Sequence, residues 1–324
     1  MPLSVTDMAT WSPIQFDALG IVTIFGTREM NLCIGNLVAS DLTEWLPVLG
    51  SFAVANNEII SPEPGFILYN ITDGIMAIDV SSWFTRWLTS YPITYSATTI
   101  TLRMDGKAMP VARRALSLIL ACILFSLLLT LSILLSDAWG VVNMVALVLS
   151  VLVRQSMVQQ LRFSIDATVN GLRNDPGSTV KVFTTLPGGK AVTIRGPREL
   201  VVQCLLTDPR PGRPRLYYLS RVACWASFGA HALTLGMSCL LYQIVSVCIL
   251  LASTYMVATH LGDRNSVVGT KLRLELDMGE PSWTRSPAYR RLNLSRDEEE
   301  TMIRWGLMPQ RSNQTWWCRF RKGR

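Results

Sequence analysis

Hydrophobic and polar positions along the chain separate into long uncharged blocks and mixed regions. The longest block, Val222–Thr259, runs for thirty-eight residues without Asp, Glu, Lys or Arg. As one straight helix it would extend about 57 Å, whereas the hydrocarbon core of a bilayer is about 30 Å thick. A second block, Ala115–Leu135, has the length of one full span. These blocks predict a protein that crosses a membrane several times.

The long block favours two helices, with a break near Gly236-Met237-Ser238. The rival interpretation is a single long, tilted span, because Gly is common within membrane helices and does not by itself mark a turn there. Another apolar element, Ala138–Val153, is short for a span unless Gln155–Leu161 continues the same helix. The tight link Ser136-Asp137 before it predicts a helical hairpin with Ala115–Leu135.

Mixed regions on either side of the blocks have the alternation and turn residues of soluble α+β structure. Short β-branched runs bounded by Gly, Pro and Asn predict strands, Pro187–Lys190 predicts a hairpin turn, and Pro197 predicts a helix start. The predicted helix in the amino-terminal region is Ser82–Ser90. The predicted strands are Gly20–Gly26, Ser51–Ile60, Gly65–Val80, Thr94–Met104, Thr179–Leu186 and Ala191–Gly196.

The carboxyl-terminal tail has two recognisable patterns. Ser295 and Glu298 form a capping box, in which each side chain satisfies a free backbone N–H, and this predicts a helix start. The carboxylates Asp297–Glu300 fit that first turn better than a metal site. Further on, Trp316, Trp317 and Phe320 alternate with basic residues, which predicts contact with lipid headgroups rather than with nucleic acid.

Together these patterns predict a membrane α-helical fold with about four transmembrane helices in two hairpins and extramembrane α+β segments. The predicted division is residues 1–110 (amino-terminal α+β segment), 111–162 (transmembrane hairpin), 163–221 (basic unit of β-hairpin plus helix), 222–260 (transmembrane region, a second hairpin) and 261–324 (tail with a capped helix and a Trp/Arg end).

Charge gives this arrangement an orientation. Residues 1–107 hold four Lys/Arg against ten Asp/Glu, whereas 154–221 alone hold eleven Lys/Arg. Arg103, Lys107, Arg113 and Arg114 precede the first span, so the positive-inside rule places the amino terminus and 154–221 in the cytosol. With four spans the tail returns to the cytosol. We expect an integral, multi-pass protein, for which the endomembranes and the plasma membrane fit equally, and no cleaved signal peptide.

Three N-glycosylation sequons test the orientation. They begin at Asn70, Asn293 and Asn313. Under the four-span topology none of them would face the lumen, so glycans on Asn293 or Asn313 would favour the single-span rival.

A stripe of polar residues within the longest block is the candidate functional site. Positions 224, 227, 231, 234 and 238 share one helical face, and Gln243 follows. One interpretation is a polar pathway or ligand-binding seam, since ionisable groups inside membranes tend to be functional. The other is helix packing through small and hydroxyl side chains, which the pattern favours. The stripe comprises Cys224, Ser227, His231, Thr234, Ser238 and Gln243.

The sequence contains no pattern that names a reaction. Gly188-Gly189-Lys190 lacks the upstream Gly of a phosphate loop and has Ala191 in place of the magnesium-binding hydroxyl, and the seven cysteines lack zinc-site spacing. We therefore expect no metal or cofactor, and enzymatic activity is left open but not favoured. The expected partners are the lipid bilayer and a second copy or another membrane protein, with no nucleic acid.

Three functions fit this pattern. The preferred one is a structural or interaction component of a membrane. The alternatives are a subunit of an oligomeric transporter or channel, and a small membrane-embedded enzyme that uses His231 and its polar neighbours.

Several stretches resemble a group of uncharacterised multi-pass membrane proteins of filamentous fungi. They are Thr185–Ile194, Leu205–Pro211, Trp225 with His231 and Leu235–Met237, Ala288–Leu292 with Leu294-Ser295, Glu298–Met302 and Trp316-Trp317. The resemblance covers roughly 175–320, with a looser match over 18–70. It implies a fungal membrane protein and assigns no catalytic residue.

Overall fold

The computed structural model describes residues 20, 27–63, 65–93, 96, 98–105, 111–175, 177–279, 282 and 284–322. The chain forms two compact units, each assembled from three separate segments. Unit 1 comprises 1–61, 108–164 and 210–265, and unit 2 comprises 62–107, 165–209 and 266–324. The helical blocks of the sequence fall in unit 1, and most of the strands fall in unit 2.

The elements are numbered here in chain order. The helices are α1 (Thr27–Gly35), α2 (Ser51–Ala55), α3 (Ser82–Ser90), α4 (Val111–Leu134), α5 (Ala138–Gly171), α6 (Arg198–Leu200, continued by a π-helical turn Val201–Leu205), α7 (Pro214–Met237), α8 (Leu240–Ala258), α9 (Ser286–Leu292), α10 (Arg296–Arg304) and α11 (Gln314–Lys322). The strands are β1 (Val38–Ser40), β2 (Leu68–Asn70), β3 (Ile75–Ala77), β4 (Thr98–Arg103), β5 (Thr179–Thr185), β6 (Ala191–Pro197), β7 (Asp263–Val268) and β8 (Leu272–Asp277).

Four long helices dominate unit 1, and they follow the sequence prediction closely. The residues Gln155–Leu161 do continue Ala138–Val153, so α5 is one helix of 34 residues. The predicted break in the longest block is also present, because α7 ends at Met237 and α8 begins at Leu240. Ser238 and Cys239 between them have extended backbone. The block is therefore two helices and not one continuous helix.

Three helices of the described chain are long and apolar enough to cross a membrane: α4 from Ala115, α5 and α8. The helix α7 is not among these three: Arg215 and Arg221 occupy its first turns, and its uncharged part is Val222–Met237. Large apolar side chains on these helices point outward. On α4 alone Ile119, Ile123 and Ile133 are each more than half exposed.

The segment between α1 and residue 61 differs from the prediction. Ser51–Ile60, predicted as a strand, forms the helix α2 and a 3-10 turn, Glu58–Ile60. Residues 53–55 are almost completely buried, and Phe52 packs on Phe228 of α7 at a ring distance of 5.5 Å. A short run that is apolar on every side fits a buried helical turn as well as a strand, so periodicity alone does not separate the two.

The described strands form one mixed sheet in the order β1-β7-β8-β4-β6-β5-β2-β3. In unit 2 the central strand β4 pairs parallel with β6 and antiparallel with β8. The strands β5 and β6 form the predicted hairpin across Pro187–Gly189. Their burial on both faces agrees with their content of Val, Ile and Thr.

Other predicted elements of unit 2 have mixed outcomes. The helix Ser82–Ser90 is confirmed, and the predicted strand Thr94–Met104 appears as β4. The predicted strand Gly65–Val80 is wrong, because β2 and β3 are separate strands joined by a turn in which Gly74 has φ of +68°. That conformation favours Gly, so the Asp73-Gly74 turn signal should have divided the run. The predicted strand Gly20–Gly26 lies almost wholly outside the described residues.

The carboxyl-terminal helices build the hydrophobic core of unit 2. Side chains of α9, α10 and α11 pack with Phe183 and Ala191 of the β5–β6 hairpin. Trp317 and Phe320 belong to this core, with 5% and 1% of their surfaces exposed. The predicted headgroup contact is therefore wrong for these two residues. Their spacing of three matches one apolar helix face, which is also the pattern of ordinary core packing.

Candidate functional site

The predicted polar stripe lies on the buried face of α7, where its histidine meets a residue that the sequence analysis did not select. Asn143 of α5 places its Nδ2 atom 3.0 Å from His231 Nδ1, 3.0 Å from the His231 carbonyl and 3.0 Å from Thr234 Oγ1. Tyr242 of α8 donates a long 3.4 Å bond to Asn143 Oδ1. Asn143 is completely buried. One amide thus links three helices.

The remaining stripe residues satisfy their hydrogen bonds locally. Ser227 donates to the Cys224 carbonyl at 2.9 Å and Ser238 donates to the Leu235 carbonyl at 2.8 Å, each three residues back. Gln243 Nε2 donates to the Ser238 carbonyl at 2.8 Å, which satisfies one carbonyl at the end of α7. Apart from Gln243 the stripe is buried. These bonds lie within α7 or at the α7–α8 junction.

The two turns of the helical region meet at one carboxylate. Asp137 Oδ1 accepts from Gly140 N–H at 3.0 Å in the first turn of α5. Its Oδ2 accepts from Cys239 N–H at 2.8 Å, just before α8. Helix N-termini favour negative charge, so Asp137 stabilises the starts of both helices. The α4–α5 turn and the α7–α8 turn therefore lie side by side.

A second polar constellation lies further along α5, where two arginines hold the segment after α1. Arg154 Nη2 donates to the carbonyls of Glu44 and Leu46 at 2.8 Å each. Arg162 donates to the carbonyls of residues 37 and 38 at 3.0 and 2.7 Å, and its Nη1 bonds the Glu44 carboxylate. Irregular backbone requires such partners wherever water is excluded.

These side chains line a small polar cavity of about 50 Å³. One water needs room of about 10–15 Å³, so the cavity is large enough for more than one water. Arg154, Gln155 and Arg162 are each at least 93% buried. The cavity is lined by Cys33, Ile34, Val38, Ser40, Thr43, Glu44, Arg154, Gln155, Val158, Arg162, Val257 and Asp263.

The acidic and thiol groups of the cavity are already accounted for. Glu44 is paired with Arg162, and Asp263 Oδ2 lies 2.7 Å from His260 Nδ1. Burial raises the pKa of the Cys33 thiol to about 12, and the nearby Asp263 and Glu29 add to the shift. Since the thiolate is the nucleophilic form, this shift disfavours Cys33 as a nucleophile at neutral pH. The arrangement is suited to binding rather than to nucleophilic chemistry.

The predicted carboxylate cluster and the sequons all lie in unit 2. The capping box is present, with Glu298 N–H donating to Ser295 Oγ at 3.2 Å and Ser295 N–H donating to Glu298 at 2.7 Å. Asn293 and Asn313 are exposed, whereas Asn70 is half-buried and bonds Asp73 at 2.7 Å. Within the described ranges, no group of three or more His, Cys, Asp or Glu side chains is placed to hold a metal ion.

Sequence reasoning missed the residues that partner the stripe and line the cavity. Asn143, Arg154 and Gln155 all lie on α5, a predicted span, and polar side chains inside an otherwise apolar helix were the available signal. Glu44 and the carbonyls that Arg154 holds are more than one hundred positions away in sequence. No local pattern connects residues so far apart.

Comparisons with known proteins place the chain in no family: no family model, no curated protein and no solved structure matches it. The resemblance to fungal membrane proteins therefore stays a prediction.

Proposed function

We propose that this chain is a four-span integral membrane protein that displays unit 2 on one face of the membrane as a structural or interaction component. The observation that supports this proposal is the pairing of β4 with both β6 and β8. The strand β4 precedes the long helices, β6 lies between α5 and α7, and β8 follows α8. One central strand thus joins all three segments of unit 2.

Paired strands occupy the same compartment, so the chain crosses a membrane an even number of times between them. Two helices, α4 and α5, separate β4 from β6, and two more, α7 and α8, separate β6 from β8. A single crossing after β6 would leave β8 on the opposite side, where it could not pair with β4. The parity of crossings therefore favours α7 as the fourth span, although its composition alone does not qualify it.

Outward-facing side chains support the membrane environment. Leu233 and Met237 of α7 are 71% and 56% exposed, and comparable apolar residues cover α4 and α5. Apolar surface of this extent is unfavourable in water but favourable in lipid. Arg213, Arg215 and Arg221 at the start of α7 are suited to the headgroup region of the cytosolic leaflet.

Orientation follows from the basic residues near the span ends. The positive-inside rule places unit 2 in the cytosol, with both turns on the opposite side. Asn70, Asn293 and Asn313 all belong to unit 2. On this proposal all three sequons stay unglycosylated. A second copy or another membrane protein is the expected partner within the bilayer.

Thiol labelling in sealed vesicles tests the topology with native cysteines. One variant keeps Cys239, next to the α7–α8 turn, and another keeps exposed Cys318 of α11, with the other cysteines changed to Ser. In vesicles with the cytosolic face outward, an impermeant maleimide should label Cys318 directly and Cys239 only after permeabilisation. Equal labelling of both sites without permeabilisation would contradict the proposal.

Substitution of His231 separates an interaction role from catalysis. Because His231 is held by Asn143, we expect His231→Ala to leave the phenotype unchanged wherever protein abundance is unchanged. Ser227→Ala, on the same face, is the matched control, since its hydroxyl bonds only its own helix. Loss of phenotype at normal abundance with His231→Ala, but not with Ser227→Ala, would favour the membrane-embedded enzyme.

A further inference from the structure

We propose that the cavity beside Arg154 is a binding site for a small oxyanion of the phosphate class, either free phosphate or the phosphomonoester headgroup of a lipid. This inference goes beyond the interaction role proposed above and does not depend on the number of spans. It rests on the hydrogen-bonding groups that face the cavity and remain without a protein partner.

The guanidinium of Arg154 is only partly used by the protein. Its Nη2 atom donates to two backbone carbonyls, while Nε and Nη1 have no hydrogen-bond partner among the residues that the structure describes. Those two nitrogens carry three N–H groups. These N–H groups can donate charge-assisted hydrogen bonds to an oxyanion.

Arg154 also has no carboxylate partner within the described part of the chain. The Glu44 carboxylate bonds Arg162, and Arg154 contacts only the Glu44 backbone. Arg154 is 6% exposed, so its charge is removed from water. The Glu44 carboxylate attracts the charge of Arg154 but is paired directly with Arg162. Two buried arginines thus share one carboxylate, and an anion in the adjoining cavity would supply a second counter-charge.

Gln155 adds a requirement for a donor on the ligand. Its Nε2 donates to the Glu44 carbonyl, and its buried Oε1 has no hydrogen-bond partner in the part of the chain that the structure describes. A group that both accepts from Arg154 and donates to Gln155 carries a hydroxyl beside anionic oxygens. Singly protonated phosphate has this combination. Its five heavy atoms are compatible in size with a cavity that has room for more than one water.

The test uses the full chain in lipid nanodiscs. In discs of phosphatidylcholine alone, titration calorimetry with inorganic phosphate measures binding of the free anion. In discs that also contain phosphatidic acid, phosphorus NMR measures whether a headgroup is held by the protein. Saturable binding in the first arm identifies free phosphate, and binding confined to the second identifies the lipid; either result supports the oxyanion site.

Three variants locate the binding. Arg154→Gln removes the charge and should weaken phosphate binding at least tenfold. Val158→Met keeps every polar group but fills part of the cavity that Val158 lines, so it should weaken binding even if Arg154→Gln fails to fold. Arg103→Gln, on exposed Arg103 of unit 2, should change nothing. Absence of saturable binding in both arms, or equal binding by wild type and Val158→Met, would overturn the proposal.

Discussion

Two buried polar constellations share the helix α5, and they differ in how fully their hydrogen bonds are satisfied. Around Asn143, the amide and its three neighbouring side chains use one another as partners. Around Arg154, the side chains hold backbone carbonyls and line a cavity, and among the described residues Arg154 Nε, Arg154 Nη1 and the amide oxygen of Gln155 have no hydrogen-bond partner. We call the first constellation closed, because its side chains satisfy one another's hydrogen bonds, and the second open, because some of its hydrogen-bonding groups lack a partner among the described residues.

The difference shows that burial and polarity alone do not identify a functional site. A histidine within an apolar helix attracts attention, yet the side chain of His231 already has Asn143 of α5 as a hydrogen-bond partner. The more informative observation is a buried charge or amide whose partners are incomplete, because such a group is costly to maintain unless something binds it.

The largest effect is expected at Arg162, which forms an ion pair with the Glu44 carboxylate. Arg162→Ala leaves Glu44 buried without its partner and frees the carbonyls of residues 37 and 38. Removal of one member of a buried ion pair costs about 3–5 kcal/mol, so the unfolding temperature in detergent should fall sharply. The control Arg103→Ala, which breaks an exposed pair, should cost at most about 0.5 kcal/mol. Equal losses for the two variants would show that the first pair is solvated.

The closed constellation should behave as a coupled unit. Asn143→Ala removes the partner of buried His231 and Thr234, and the unsatisfied groups should cost about 1–3 kcal/mol of unfolding free energy. A double-mutant cycle uses Asn143→Leu, His231→Leu and the double variant Asn143→Leu/His231→Leu. Both polar partners are replaced in the double variant, so its loss should be smaller than the sum of the losses of the two single Leu variants. Additive losses in this double-mutant cycle would show that the two residues act independently.

A smaller effect is expected where the two turns meet. Asp137→Ala removes a cap from α5 and another from the start of α8, so it should cost about 1–2 kcal/mol. Ser136→Ala, its exposed neighbour, serves as the control. If thermal unfolding in detergent shows no difference between these two variants, the carboxylate does not join the turns.

The smallest effect is expected in unit 2, at a carboxylate near the surface. Burial opposes the charged form of Glu298, but hydrogen bonds from Lys181 and the Ser295 N–H outweigh it, so the pKa of Glu298 is lowered. A lowered folded-state pKa stabilises the fold above the ordinary pKa of about 4.3, and this stabilisation disappears as pH falls through the folded pKa. Glu298→Gln should therefore cost up to about 1 kcal/mol at pH 7 and nothing at pH 2. A pH-independent difference would contradict this assignment.

The sequence predicted those features that depend on neighbouring residues. The Ser295–Glu298 capping box, the β5–β6 hairpin and the break at Ser238 are local patterns, and each is present. The buried face of α7 also followed from periodicity, because residues three and four apart share a side of a helix.

The features that were not predicted depend on contacts between distant segments. The apolar run at Ser51–Ile60 becomes helical within unit 1, where α2 packs on α7. The tail places Trp317 in the core of unit 2 rather than at a lipid surface. The cavity combines α5 with a segment more than one hundred residues earlier. Assembly of each unit from three separate segments could not be deduced from composition along the chain.

Cross-linking of β4 to β8 tests most directly the claim that four crossings return the chain to one face. Arg103 and Arg273 are directly opposed in the antiparallel register. Such positions have Cα atoms about 4.5–5.5 Å apart, within reach of a disulfide.

The pair Arg103→Cys/Arg273→Cys should form a disulfide under mild oxidation in native membranes. Non-reducing gels should then keep the two halves joined after cleavage at a protease site introduced near Gly212. The control pair Arg103→Cys/Arg304→Cys should not join them. Failure of the first pair to cross-link, with both thiols reactive, would contradict the shared sheet and the four-span topology.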